Sequence, residues 1–146
     1  MLRINRQTDY AIRIVLALAK EPVGSRISST RIREEMLIPK AFMSRIVAQL
    51  ARTDFITAYP GREGGLQLTK PAKEVTLRNI VELMEQPLNL SECMLNEQAC
   101  PFEMACPVRK RWYRLQKVIL EELEQTNFEE LAQEVVSIED INQLFS

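Results

Sequence analysis

The sequence predicts a mainly α fold with one small β-hairpin, a basic first half and an acidic second half. Three observations carry that expectation. Three short helical patterns come first, separated by proline and glycine breaks. Two alternating segments joined by a Gly-rich turn follow at 55–69. A long amphipathic stretch then runs from Pro107 to about Glu124.

Taken in order, Thr8 and Asp9 precede the first helical pattern, in which Ile12, Val15, Leu16 and Ala19 recur at helix spacing. Pro22 and Gly24 end it. Ser28, Ser29 and Thr30 are all good caps for a second helix reaching about Met36. Pro39, with its fixed φ, suits the first position of a third helix. There Met43, Ile46, Val47 and Leu50 form one apolar stripe, which turns Lys40, Ala41, Ser44, Arg45 and Gln49 the other way. Phe55–Tyr59 and Leu66–Thr69 read as the hairpin strands, with Arg62 at the tip. Helix, turn, helix and hairpin in that order make a winged helix-turn-helix.

Charge gives this unit a direction. Residues 1–73 carry 13 Lys and Arg against 6 Asp and Glu, and residues 74–146 carry 6 against 14. A basic half beside an acidic half suggests that the first half meets a polyanion. The third helix can enter a major groove, Arg45 can make two hydrogen bonds to a guanine, and Lys40 and Ser44 can reach phosphates or bases. Arg62 can enter the minor groove or hold a phosphate. With Ser28 and Thr30 at the start of the second helix and Ala41 and Gln49 on the third, these are the candidate contacts to double-stranded DNA. Winged helices also serve as protein–protein modules, with such arginines merely solvated.

Cys93, Cys100 and Cys106 lie at C-x6-C-x5-C spacing in a segment, 86–107, without clear period and so read as a loop. Thiolates close together on a loop can wrap one soft metal centre. Cys106 precedes Pro107 and the long helix, where a helix N-terminus favours the thiolate. Three thiolates leave one position open, and the chain has no histidine to fill it. Zinc with a carboxylate, a thiol redox switch, and three cysteines without special chemistry all remain open.

In the long helix Trp112, Leu115, Ile119 and Leu123 make a stripe with Val118 alongside. Lys110, Arg111, Arg114 and Lys117 come early and Glu121, Glu122 and Glu124 late, an order that opposes the helix dipole, so packing must hold it. The helix suits a dimerization arm, since two-fold proteins read two half-sites, or packs on the chain's own core. Residues 127–146 read as short acidic helices without an assigned role. The domain expectation is a winged helix-turn-helix over 1–86, a cysteine loop over 87–106, and a dimerization helix with helical tail over 107–146.

Other classes fit poorly. No run of about 18 uncharged apolar residues predicts a membrane span, and residues 1–6 lack the features of a secretory signal, so the expected location is cytoplasmic. With no histidine, C-x-x-C, Gly-rich nucleotide loop or evident acid–base pair, the sequence argues against an enzyme.

The run Arg6-Gln7-Thr8-Asp9-Tyr10-Ala11-Ile12-Arg13, the hairpin from Gly61 to Ala72, and three cysteines before a long helix resemble the Rrf2 family of bacterial regulators. The resemblance covers residue 2 to about 134. It implies a homodimeric winged helix-turn-helix transcription regulator, commonly a repressor, with the dimer helix after the cysteine loop. It also implies an iron–sulfur cluster held by Cys93, Cys100, Cys106 and one further ligand. Members of the IscR-like branch use a histidine where Arg109 stands here, which excludes that ligand set. The NsrR-like nitric-oxide sensors use an aspartate of the first helix from the partner subunit, a position Asp9 matches, although an N-cap role fits Asp9 equally. The stretch from Gln86 to Cys93 is similar to the iron-responsive RirA-like branch, in which Glu92 or Glu97 could replace Asp9. The expectation is therefore a regulator whose DNA affinity follows a 4Fe–4S cluster, or less readily 2Fe–2S, answering nitric oxide, redox or iron status. A cluster-free or zinc-bound regulator with a thiol switch, or one sensing a partner or metabolite, is the alternative.

Overall fold

The computed structural model describes residues 3–85, 89–96, 100–102 and 105–134. Glu97 and the tail beyond 134 lie outside them. Along the chain run α1 (Arg6–Ala19), β1 (Arg26–Ile27), α2 (Ser29–Glu35), α3 (Lys40–Leu50), β2 (Ile56–Tyr59) and β3 (Gly65–Leu68). A 3-10 turn (Ala72–Glu74), α4 (Leu77–Glu85), α5 (Glu92–Leu95), α6 (Pro107–Gln125) and α7 (Phe128–Glu134) complete it. The mainly α fold with a small antiparallel sheet is the one the sequence predicts. Among the described residues no helix is long and apolar enough to cross a membrane.

The cap of α1 is Asn5, whose side chain accepts from the Thr8 N–H at 2.9 Å. Asp9 thus lies inside the first turn and is not an N-cap. Thr8 is fully buried, and its hydroxyl donates to Glu85 of α4 at 2.5 Å. The same Glu85 oxygen accepts the Asn5 N–H at 2.8 Å, so a carboxylate sits at the positive end of α1. The stripe of α1 is also rotated from its expected phase. Ala11, Ile14, Val15 and Leu18 face the core, while Ile12, Leu16 and Ala19 pack along its margin.

Ser28 caps α2 by accepting from Arg31 N–H at 3.1 Å. Pro39 stands one residue earlier than expected, as the N-cap of α3, with ψ 137°. Met43, Ile46 and Leu50 of α3 are buried and Val47 is partly so, matching the predicted stripe. The hairpin gains a third strand, in the order β1-β3-β2. Ile27 pairs with Leu66, and Ile56 with Leu68, all turned into the core. Arg26 and Thr57 flank Gln67 on the outer face.

The cysteine segment is not all loop, because α5 carries Cys93. The chain then returns on itself. Leu77 N–H donates to Thr126 O and Phe128 N–H to Val75 O, both at 2.9 Å, and Phe128 is fully buried. Through α7 the tail packs on α1, so residues with no assigned role at the sequence level complete the core of the first half.

Candidate functional site

On α3, Lys40, Ala41, Ser44 and Arg45 are exposed, and on α2 so are Ser28 at the cap and Thr30. Lys40 and Arg45 make no ion pair among the described residues, nor does Arg62 at the exposed hairpin tip. Arg31, by contrast, is held by Glu35 and Glu21 at 2.8 and 2.9 Å, which raises its pKa, mainly through the bond to Glu35. Gln49 departs from the exposed set: it is half-buried and its Oε1 is buried without a partner among the described residues. Between α2, α3 and β2 runs an open groove of about 480 Å³, lined by the polar Thr30, Arg33, Lys40 and Ser44 and the apolar Val47 and Ala58.

Glycine shapes the hairpin. A side chain at Gly64 would overlap the Tyr59 carbonyl, and one at Gly65 (φ +139°) would overlap that of Ile27. The tip can therefore fold tightly against β1. Thr69 N–H closes the base on Phe55 O at 2.9 Å, and Lys70 pairs with Asp54 there at 2.5 Å. Arg26 was not among the sequence candidates. Its guanidinium carbon lies 3.6 Å from the Tyr59 ring centroid.

The turn before α3 is strained. Leu37 adopts φ 53° with its side chain 68% exposed, a left-handed geometry costly for a leucine. Ile38 N–H donates to Arg33 O at 2.9 Å, closing the end of α2 over it. Arg13 braces the same turn, donating to Met36 O at 3.1 Å. Its other nitrogen pairs with Asp9 at 2.8 Å, and it lies 5.3 Å from the Tyr10 ring, which packs on Phe42 of α3. Asp9, Arg13 and the helix-turn-helix thus form one connected set. Asp9 remains 42% exposed, in an open cavity with Arg3, Asn5 and Arg6.

Cys93, Cys100 and Cys106 are free thiols, each half-buried. Cys93 Sγ lies 3.2 Å from Ser91 Oγ. Cys106 is the N-cap residue of α6 with Pro107 at its first position, as the sequence predicts. It borders a cavity of about 430 Å³ with Lys110, Arg111 and Arg114. Among the described residues no three His, Cys, Asp or Glu side chains are gathered to hold a metal. The donor types suit an iron–sulfur centre, but the chain as folded does not converge them, and Asp9 is engaged by Arg13.

The family profile described as "Rrf2: Iron-dependent Transcriptional regulator" matches residues 4–134. Among solved structures, CymR (YrzC), the global cysteine regulator of B. subtilis, is 24% identical with a TM-score of 0.76, covering 93% of this chain and 100% of that one. Staphylococcus aureus CymR is 27% identical with a TM-score of 0.68, covering 91% and 100%. T. potens IscR shares the fold at 16% identity and a TM-score of 0.64, covering 99% and 89%.

Proposed function

The chain belongs to the Rrf2 family of transcriptional regulators, and from that footing we propose a homodimeric DNA-binding repressor controlled through its cysteine segment. The observation that carries the DNA reading is a set of exposed cations without an ion pair among the described residues: Lys40 and Arg45 on α3, and Arg62 on the wing. Ser28, Thr30, Ala41 and Ser44 complete the contact surface, with Gln49 entering only if its side chain turns outward. The uncovered face of α6, with Trp112 38% and Val118 56% exposed, supports the two-fold partner.

For the control element we keep the iron–sulfur reading, closest to the NsrR-like and RirA-like branches. Cys93, Cys100 and Cys106 would hold the cluster with Asp9 of the partner subunit, 4Fe–4S before 2Fe–2S. When bound, such a cluster supplies chemistry sensitive to nitric oxide, dioxygen or iron supply. The chain's own residues account for the rest. Lys110, Arg111 and Arg114 line the same cavity as Cys106 and make it positively charged. Arg13 joins Asp9 to the carbonyl of Met36, so a change at Asp9 is felt at the turn that aims α3.

A second reading, in which the thiols themselves form the switch or zinc replaces the cluster, is favoured on its thiol side by one observation: among the described residues the free cysteines are not gathered into a site. The fold is also shared with an oxidized form of S. aureus CymR, 26% identical with a TM-score of 0.69 and covering 93% and 100%. The deciding experiment is an absorption spectrum with iron and sulfide assays on protein purified without oxygen. Visible absorbance with stoichiometric iron and sulfide, lost in Cys100→Ala while the dimer persists, upholds the cluster. A colourless protein that resists reconstitution, or a fully coloured Cys100→Ala variant, sinks that ligand set. A colourless protein whose DNA affinity changes on thiol oxidation belongs to the second reading.

A further inference from the structure

Arg26 occupies an unusual place on the outer face of the small sheet. It is exposed, yet its guanidinium sits over the Tyr59 ring with 3.6 Å between its carbon and the ring centroid. One nitrogen donates to the main-chain carbonyl of Glu63, at the wing, at 3.5 Å. It makes no ion pair among the described residues, whereas Arg13, Arg31, Arg33 and Arg78 each hold a carboxylate. The missing side chain at Gly65 lets β1 press against β3 beside the wing, and Ser28, the cap of α2, follows two residues later. Arg26 therefore stands between the wing and the N-terminal end of α2, both of which carry candidate DNA contacts.

A guanidinium stacked on a ring keeps its in-plane N–H groups free for a planar or tetrahedral anion. Because the stack already fixes the side chain, little ordering entropy is lost when an anion arrives. An arginine that is held still but left electrically unpaired is prepared for a charge from outside the chain. We propose that Arg26 is a DNA-backbone phosphate contact at the flank of the wing, with Tyr59 as its platform. It fixes the register of the protein on the duplex without reading sequence. The assignment rests on the DNA-binding reading above and adds to it a residue and a role.

The test is the salt dependence of affinity for two duplexes, one selected by the wild-type chain from a random pool and one unselected. A lost phosphate contact lowers the slope of log affinity against log salt by about 0.9. Arg26→Gln should lower it by that amount and weaken both duplexes by a similar factor, about tenfold. Arg26→Lys should keep the slope. Tyr59→Leu should keep the slope too, with a few-fold loss from the freed side chain. An unchanged slope in Arg26→Gln, or a loss confined to the selected duplex, overturns the assignment. If Arg26→Gln does not fold, an unaltered affinity in Tyr59→Leu overturns it instead. A wild-type chain that binds neither duplex at low salt overturns the DNA-binding reading itself, whereas failure of the Arg26 variants alone leaves that reading intact.

Discussion

In the first half of the chain, α1 and α3 turn Ile14, Ile46 and Leu50 wholly inward, whereas the 19 residues of α6 bury none of theirs. Both segments are amphipathic, so the difference lies in what each meets. The helices of the first half meet one another, the sheet and α4. α6 meets α4 and α5 along one side and leaves Val108, Trp112, Leu115 and Val118 uncovered. A covered stripe stabilises the chain that carries it, while an uncovered one of this size calls for a partner. The first half buries its stripes against one another, with Phe128 of α7 closing the core. The arm leaves its stripe uncovered, and it is pinned back at its end by Phe128.

That pin gives the largest expected effect. Phe128→Ala removes a fully buried ring between α7 and the first-half core, and should cost about 3–5 kcal/mol. Urea unfolding followed by circular dichroism measures it. A loss below about 1 kcal/mol would mean that α7 rests on the core without completing it, and the division between a finished half and an unfinished arm would have to be redrawn.

The next effect should appear only in assembly. Leu115→Glu places a charge on the exposed stripe of α6 and should weaken self-association about 30-fold or more, the scale of one interface hot spot. Sedimentation across a dilution series reads the association constant. At concentrations where the wild type is also monomeric, the two proteins should melt together. A variant that associates normally, or that melts early as a monomer, would show that the stripe serves the chain's own fold.

What the sequence could show depended on how local each pattern is. The apolar stripe of α3 and the Gly-rich hairpin are local patterns, and both appear as expected. The phase of α1 was not readable, because Ala11 to Ala19 is almost continuously apolar and offers several equivalent stripes. A two-residue strand such as β1 is too short to alternate. The α4 signal was present and unused: Leu77, Ile80, Val81 and Met84 fall at i, i+3, i+4 and i+7. Phe128 gives no local sign, since its burial depends on a return of the chain that only tertiary structure supplies. For the candidate site, residue types were visible from spacing. What spacing could not supply is which cations are paired, the Arg13 link between Asp9 and Met36, and the seat of Arg26 on Tyr59.

The smallest effect concerns the base of the wing, where Lys70 pairs with Asp54. The Lys70 ammonium, chiefly through its hydrogen bond, holds the Asp54 carboxyl below its ordinary range, and Asp54 in turn raises Lys70. A carboxyl depressed in the folded state adds stability above its unfolded pKa and loses it as pH falls through the folded value. Wild type should therefore melt slightly above Asp54→Asn at neutral pH, and the gap should close in acid. Both groups are open to water, so the gap should be a small fraction of the Phe128→Ala effect. Paired melting curves across that pH range would read it. A gap that persists below the carboxylate range would mean that the change of side chain, not the loss of its charge, destabilises the variant, and that the wing base owes nothing to the ion pair. A gap that closes would assign that effect to the ion pair at the base of the wing, in contrast to Arg26 and Arg62 on its flank and tip, which hold no carboxylate among the described residues.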